Sequence, residues 1–322
     1  MSTIEKALQK QRELAEKQRA LEEQALAEAG REARNVGSSP QISAAMESVV
    51  AAPPQPTPAQ PSVAQRPPQR TVETAPEQET SNGELIAIDV AQLEANGFIT
   101  PNESFSKIKE EYRYIKRPLL NNAFGASAAT LKNPNLIMVS SSFSGEGKTF
   151  TAINLAISMA LEEDRNVLLV DADVVRPHVC QRLGITERPG LMDFLRGNTP
   201  ITSIIHDTNI PKLKLVTAGT RHHHSSEMLA SDKMKRLMQE LSTRYSDRVV
   251  IFDTSPLLGA SETNVLSQHA GQAVVVVEEG RTTHHQLEQA LRLLDPDIAT
   301  NLILNKSNAG RSEYYGYYYA SS

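Results

Sequence analysis

Ser142-Phe-Ser-Gly-Glu-Gly-Lys-Thr149 lies between a short apolar run, residues 136–139, and an apolar stretch of helical character, residues 149–161. In that setting the two glycines have a physical purpose. Gly145 and Gly147 let the backbone turn its amides inward around phosphate oxygens, Lys148 supplies a cation for the outer phosphates, and the Thr149 hydroxyl can ligate magnesium. A helix starting at Thr149 adds its positive end to the same place. The consensus for such a loop has Gly at the first position, and this chain has Ser142. A glycine turn of no special purpose would not need a lysine and a hydroxyl at the mouth of a helix. The contacts expected for a nucleotide are therefore Ser144, Gly145, Glu146, Gly147, Lys148, Thr149 and Phe150.

Working outward, further apolar runs fall at 167–170, 213–216, 249–252, 273–277 and 302–304, each short, branched and not alternating, as buried strands are. Helical stretches such as 149–161 and 231–244 separate them. Strands alternating with helices imply a mostly parallel sheet covered on both faces, an α/β fold of the P-loop NTPase type. Ligands of such sheets sit at the carboxyl ends of the strands, where the remaining polar motifs fall. One is Val167-Leu-Leu-Val-Asp-Ala-Asp173, followed by Arg176 and Pro177. Asp171 and Asp173, two apart at a strand end, can share one cavity in which one carboxylate holds magnesium and the other takes a proton. Arg176 either neutralises developing phosphate charge or caps a helix. Another is Val249-Val-Ile-Phe-Asp253, an apolar strand ending in a carboxylate, the usual second magnesium anchor of such ATPases.

The rest of the chain divides by composition. Residues 1–35 are strong helix formers with sparse apolar marks and read as a charged helical arm, either a solvated surface helix or a docking arm. Residues 36–83 are rich in Pro, Ala and Gln and read as a disordered linker. Residues 84–130 form a lead-in segment with a helix expected over 101–120, acidic at its front and basic at its back. A catalytic domain over 131–306 and a tail over 307–322 complete the chain. Basic residues number 33 against 38 acidic, which disfavours a general grip on nucleic acid, and the single Cys180 fits a reducing compartment. No apolar stretch approaches the roughly 20 residues of a membrane span. His222, His223 and His224 are consecutive, so they rarely converge on one metal ion.

Five tyrosines, Tyr314, Tyr315, Tyr317, Tyr318 and Tyr319, crowd the tail. Together with Ser-Gly-Glu-Gly-Lys-Thr, Leu-Leu-Val-Asp-Ala-Asp and Asp253-Thr-Ser-Pro, this resembles the bacterial tyrosine kinases that use P-loop architecture. Glu110-Glu-Tyr-Arg-Tyr-Ile-Lys-Arg-Pro-Leu-Leu120, the start Met-Ser-Thr-Ile-Glu-Lys-Ala-Leu and Asn209-Ile-Pro-Lys-Leu are similar to the exosortase-associated tyrosine autokinases. The resemblance implies an ATP- and Mg2+-dependent autokinase that phosphorylates its own tail and regulates exopolysaccharide biosynthesis. It implies Lys148 and Thr149 on the phosphates and magnesium, Asp173 and Asp253 on the metal, Asp171 as base, and Asn305 at the adenine edge. A Glu-x-x-Arg-x-x-Arg helix packs related kinases into rings; Glu110, Arg113 and Lys116 match it here as one charged stripe, with Lys in the last position. Ser255 stands where relatives have Pro, a change expected to affect loop stiffness. The implied partners are further copies of the chain, a membrane chain-length or polysaccharide co-polymerase protein as activator, and a tyrosine phosphatase. The implied place is the cytoplasmic side of the inner membrane, through that partner. The rival readings are a positioning or partition ATPase, whose signature lysine would fall at Phe143, and a catalytically idle nucleotide-binding adaptor.

Overall fold

The computed structural model describes residues 85–102, 106–197, 199–244 and 247–307. The charged arm, the linker and the tyrosine cluster lie outside these residues. The seven strands are β1 Leu136–Ser141, β2 Asn166–Asp171, β3 His206–Asp207, β4 Leu213–Val216, β5 Arg248–Asp253, β6 Gln272–Glu278 and β7 Ala299–Asn305. They form one sheet in the order β3-β4-β2-β5-β1-β6-β7. All pair in parallel except β3, which runs antiparallel to β4 through His206↔Leu215. The six expected strands are present. The two-residue β3 was not expected, because it is too short to carry a period. The run at 302–304 is also not a fully buried strand. As the last strand, β7 has a neighbour on one side only, and its residues alternate between partly covered and exposed, leaving Leu302 and Leu304 53% and 60% exposed.

The helices are α1 Val90–Ala95, α2 Lys107–Phe124, α3 Lys148–Ala160, α4 Val179–Leu183, α5 Leu191–Leu195, α6 Ser225–Leu229, α7 Asp232–Arg244, α8 Ser261–Ser267 and α9 His284–Leu291. One face of the sheet carries a core drawn from α1, α2 and α3, the other a core that includes α7 and α8. Helix α3 is buried at every position but Phe150, as expected for a helix pressed between a sheet and another helix layer. Segment 86–99 belongs to the same core. Ile86 N–H donates to the Asp207 carbonyl at 2.8 Å, the Asn209 carboxamide bonds both the N–H and C=O of Ile88, and Ile99 N–H donates to Asn154 Oδ1 at 2.7 Å.

The expected helix over 101–120 begins later and ends later. Residues Pro101 and Asn102 form a turn, Ser106 accepts from Lys109 N–H as the cap, and α2 continues through Pro118 to Phe124. Its last turn holds no basic residue, so the expected match of charge to the helix dipole at that end is absent. Its buried positions, Tyr112, Lys116, Leu119 and Ala123, are spaced by four, three and four, one helical face. Lys116 therefore points inward and not along a stripe with Glu110 and Arg113. Its ammonium donates to the Ser158 carbonyl at 2.6 Å and pairs with Glu162 at 2.5 Å. Ser158 is in the last turn of α3, where the backbone N–H groups that follow go to Ile157 and Met159, so Lys116 serves the Ser158 carbonyl and is a cation at that end. Glu110 and Arg113 pair with each other at 2.8 Å.

Candidate active site

Strand order brings the chemistry together. Because β5 lies between β1 and β2, Asp253 at its end is beside Val139 on one side and Asp171 on the other. The loop 142–147 leaves β1 at this level and delivers Lys148 into the group. Gly145 and Gly147 have φ of +92° and +107°, which an L side chain adopts only under strain, and Gly147 leads directly into α3.

Lys148 Nζ lies 2.5 Å from Asp173 Oδ2 and 3.8 Å from Asp253 Oδ1. All four residues of the cluster are buried: Asp171 and Asp253 are 0% exposed, Asp173 3% and Lys148 6%. Burial alone would lower the Lys148 ammonium, but Asp253 and Asp173 outweigh it and hold it above its ordinary value. Burial, reinforced by Asp253, pushes Asp171 well above the carboxylate range. Burial likewise pushes Asp253 up to about 6, against the pull of Lys148. Three buried carboxylates facing one ammonium leave an excess of negative charge, which a protein relieves by protonation or by a cation.

Asp253 shows where a cation fits, since both carboxylate oxygens are buried with only the Thr149 hydroxyl and the more distant Lys148 ammonium to offset their charge. Both oxygens of Asp173 accept hydrogen bonds, Oδ2 from Lys148 and Oδ1 from Ser255 Oγ at 2.8 Å and Arg176 N–H at 3.1 Å, which leaves room on Oδ2 for one further partner. Thr149, Asp173 and Asp253 all lie beside Lys148 Nζ, at 3.4 Å, 2.5 Å and 3.8 Å, and their oxygens are of the kind that magnesium takes. Asp171 accepts from the N–H groups of Asp173 and Val179, both at 3.2 Å, tying the strand end to the first residue of α4. The Arg176 side chain is exposed, and only its backbone joins the cluster.

Several expected nucleotide contacts have other occupations. The Glu146 side chain is 0% exposed and turned away from the loop's mouth, accepting from Phe143 N–H at 2.8 Å and from the Thr282 hydroxyl. Phe150 packs its ring on Phe98, with centroids 4.8 Å apart. Asn305 gives an amide N–H to the Glu146 carbonyl at 2.8 Å, so it braces the phosphate loop from β7. Ser144 is exposed at the loop's tip. Lys306 adds a bond to the Gly145 carbonyl at 2.8 Å and an ion pair to Glu278 at 3.0 Å. Thr282 and Lys306 carried no motif and were missed. Ser255 was noticed only as a replaced proline, whereas it bonds a carboxylate of the cluster. His222 and His223 stack and His224 is tilted against both, and among the described residues no three His, Cys, Asp or Glu side chains are grouped as a metal site. A cleft of about 300 Å3 beside the aspartate loop is lined by Pro177, Cys180, Gln181, Thr217, Gly219 and Arg221. Another cavity, about 250 Å3 between Asn166, Lys212 and Arg248, opens at the far end of the strands and is remote from this chemistry.

A phosphate loop at the end of β1, with carboxylates at the ends of the two strands beyond it, defines a P-loop nucleotide-binding protein. Residues 135–302 match a family described as an AAA domain. The chain is 31% identical over 222 residues to the tyrosine-protein kinase YwqD of Bacillus subtilis, covering 68% of this chain and 90% of that one. It is 32% identical over 181 residues to the tyrosine-protein kinase ptk of Acinetobacter johnsonii, 55% of this chain but only 24% of that longer protein. The crystal structure of the VpsO kinase domain superposes with a TM-score of 0.52 at 26% identity, covering 62% of this chain and 96% of that one. The chain belongs to the bacterial tyrosine-protein kinases. Among the described residues no helix is long and apolar enough to cross a membrane.

Proposed function

We propose that the protein is an ATP- and Mg2+-dependent tyrosine autokinase acting on the tyrosines at 314–319 of a neighbouring copy. The observation that carries this reading is the Lys148, Asp173 and Asp253 cluster at the mouth of the phosphate loop, with the Asp253 carboxylate buried and left with an excess of negative charge around it. Lys148 and the amides of the loop would hold the phosphates, and Thr149, Asp173 and Asp253 the metal ion, which neutralises charge on the transferring phosphoryl group. Lys148, already flanked by two carboxylates, can exchange Asp173 for a phosphate oxygen without leaving the cluster. Asp171 takes the phenol proton, its proton affinity raised by burial. Its oxygens are covered by the amides of Asp173 and Val179, so the loop between them must open for a phenol to reach it. Phenol has an ordinary pKa of about 10, so a carboxylate acceptor at the attacking oxygen matters at neutral pH.

Fifteen residues from Asn305 to Tyr319 span up to about 50 Å when extended, enough to enter another subunit's cleft. Each phosphotyrosine adds about −1.5 to −2 charges, so a modified tail is repelled by the acidic site and the oligomer loosens. Light scattering that finds the same oligomer size for a phosphorylated tail and a tyrosine-to-phenylalanine tail contradicts that step. By resemblance the role is regulation of exopolysaccharide assembly, with a membrane co-polymerase as activator, a tyrosine phosphatase as antagonist, and a place at the inner membrane through that activator. Purified protein is incubated with ATP and magnesium and analysed by phosphotyrosine mass spectrometry, in wild type and Lys148→Met. Label at 314–319 in the wild type alone supports the kinase. Free phosphate without label points to a partition ATPase, and neither product to an adaptor.

A further inference from the structure

We propose that Ser255 is a positioning residue of the metal site, holding the Asp173 carboxylate in the orientation that binds the cation; this rests on the nucleotide-and-metal reading above. Ser255 is 2% exposed and its hydroxyl is 2.8 Å from Asp173 Oδ1. An ionised carboxylate only accepts, so the serine donates. The backbone behind that hydroxyl is itself fixed: the Ser255 carbonyl receives the hydroxyls of Ser140 at 2.8 Å and Thr263 at 2.9 Å, with Thr254 at 3.4 Å. The donor therefore approaches from a braced loop. With Oδ1 held, Oδ2 is turned onto Lys148 Nζ at 2.5 Å, and the same ammonium lies 3.8 Å from Asp253 Oδ1, so the two carboxylates meet on one side of the phosphate loop.

Without the hydroxyl, Oδ1 keeps the Arg176 N–H at 3.1 Å, which comes from a residue exposed to solvent. The carboxylate can then rotate. Position in the chain makes the arrangement economical, because the segment after β5 carries one metal carboxylate, Asp253, and two residues later the donor that orients the other. Loss of a group that orients a metal ligand costs about 10- to 100-fold in metal affinity.

The test uses the full chain and a fluorescent ADP analogue, titrated in EDTA and then with magnesium. For Ser255→Ala the expected result is unchanged affinity in EDTA and a magnesium half-saturation raised about 10- to 100-fold. In an Asp173→Ala background the same substitution is expected to add nothing, because the serine acts through that carboxylate. A magnesium half-saturation within about threefold of wild type, an equal loss in EDTA, or an equal loss in the Asp173→Ala background overturns the proposal. A wild type that does not respond to magnesium overturns it together with the metal reading. The readout is binding, so a chain that binds magnesium and nucleotide but labels no tyrosine refutes the kinase reading and leaves this result standing.

Discussion

Replacing Lys116 separates two accounts of helix α2. If the residue is a strut inside the chain, its loss is a stability effect; if it faces another subunit, its loss is an assembly effect. The structure places the ammonium 2.6 Å from the Ser158 carbonyl and 2.5 Å from Glu162, with Lys116 only 7% exposed. Lys116→Met keeps most of the buried stem and removes the charged donor, leaving a helix-end carbonyl unpaired, a loss of about 2 kcal/mol. Lys116→Ala also removes three methylenes, worth about 2.4 kcal/mol of burial, less about 1.5 kcal/mol of side-chain entropy regained. The expected cost is about 3 kcal/mol. Glu162 is 44% exposed at its side chain, so Glu162→Ala costs no more than about 1 kcal/mol, screened by solvent. Urea unfolding followed by circular dichroism measures these differences, at two protein concentrations so that assembly does not masquerade as stability. If Lys116→Met unfolds within about 0.5 kcal/mol of wild type while its oligomer falls apart, the strut account is refuted.

Backbone geometry and the charge of Asp253 set further outcomes. Gly147→Ala places a Cβ 2.1 Å from Asn305 Nδ2 on a backbone at φ +107°, so nucleotide affinity is expected to fall by at least about 100-fold in a fluorescent-nucleotide titration. Gly97→Ala, also at positive φ but with nothing within 4 Å, is expected to leave nucleotide binding unchanged and to cost about 1 kcal/mol of stability. Asp253 is raised to about 6 from 3.8, so its proton is lost from the unfolded chain first, and the metal-free protein loses stability as pH rises through that window. The same proton competes with magnesium, so metal affinity measured by calorimetry is expected to fall about tenfold from pH 7 to pH 5. A flat profile removes Asp253 from the metal site.

What could be read from the sequence was local and repetitive. The loop 142–149 is recognisable because glycines, lysine and threonine in that order have few other uses between a strand and a helix, and the inner strands because burial on both faces erases alternation. The direction of side chains within those elements was harder to read. Lys116 follows Glu110 by six residues, about 600° of helix rotation, which places it about 120° round from Glu110 and so off the same face. Tyr112 four residues before it, Leu119 three after and Ala123 seven after already mark the buried side. Asn305 at the end of β7, Lys306 just after it and Thr282 in the connection after β6 reach the phosphate loop from more than 130 residues later in the chain. No spacing rule connects positions so far apart. Ser255 looked like a change in loop stiffness because its partner, Asp173, lies 82 residues away and comes beside it only when β2 and β5 pair.

The most direct measurement places donor site and acceptor tail on different chains. A chain with Tyr314, Tyr315, Tyr317, Tyr318 and Tyr319 replaced by Phe keeps the Lys148 loop, and a Lys148→Met chain keeps the tyrosines. Mixed with ATP and magnesium and analysed by phosphotyrosine mass spectrometry, the Lys148→Met chain is expected to gain label at 314–319, whereas neither chain alone does. An unlabelled Lys148→Met chain in that mixture contradicts the account.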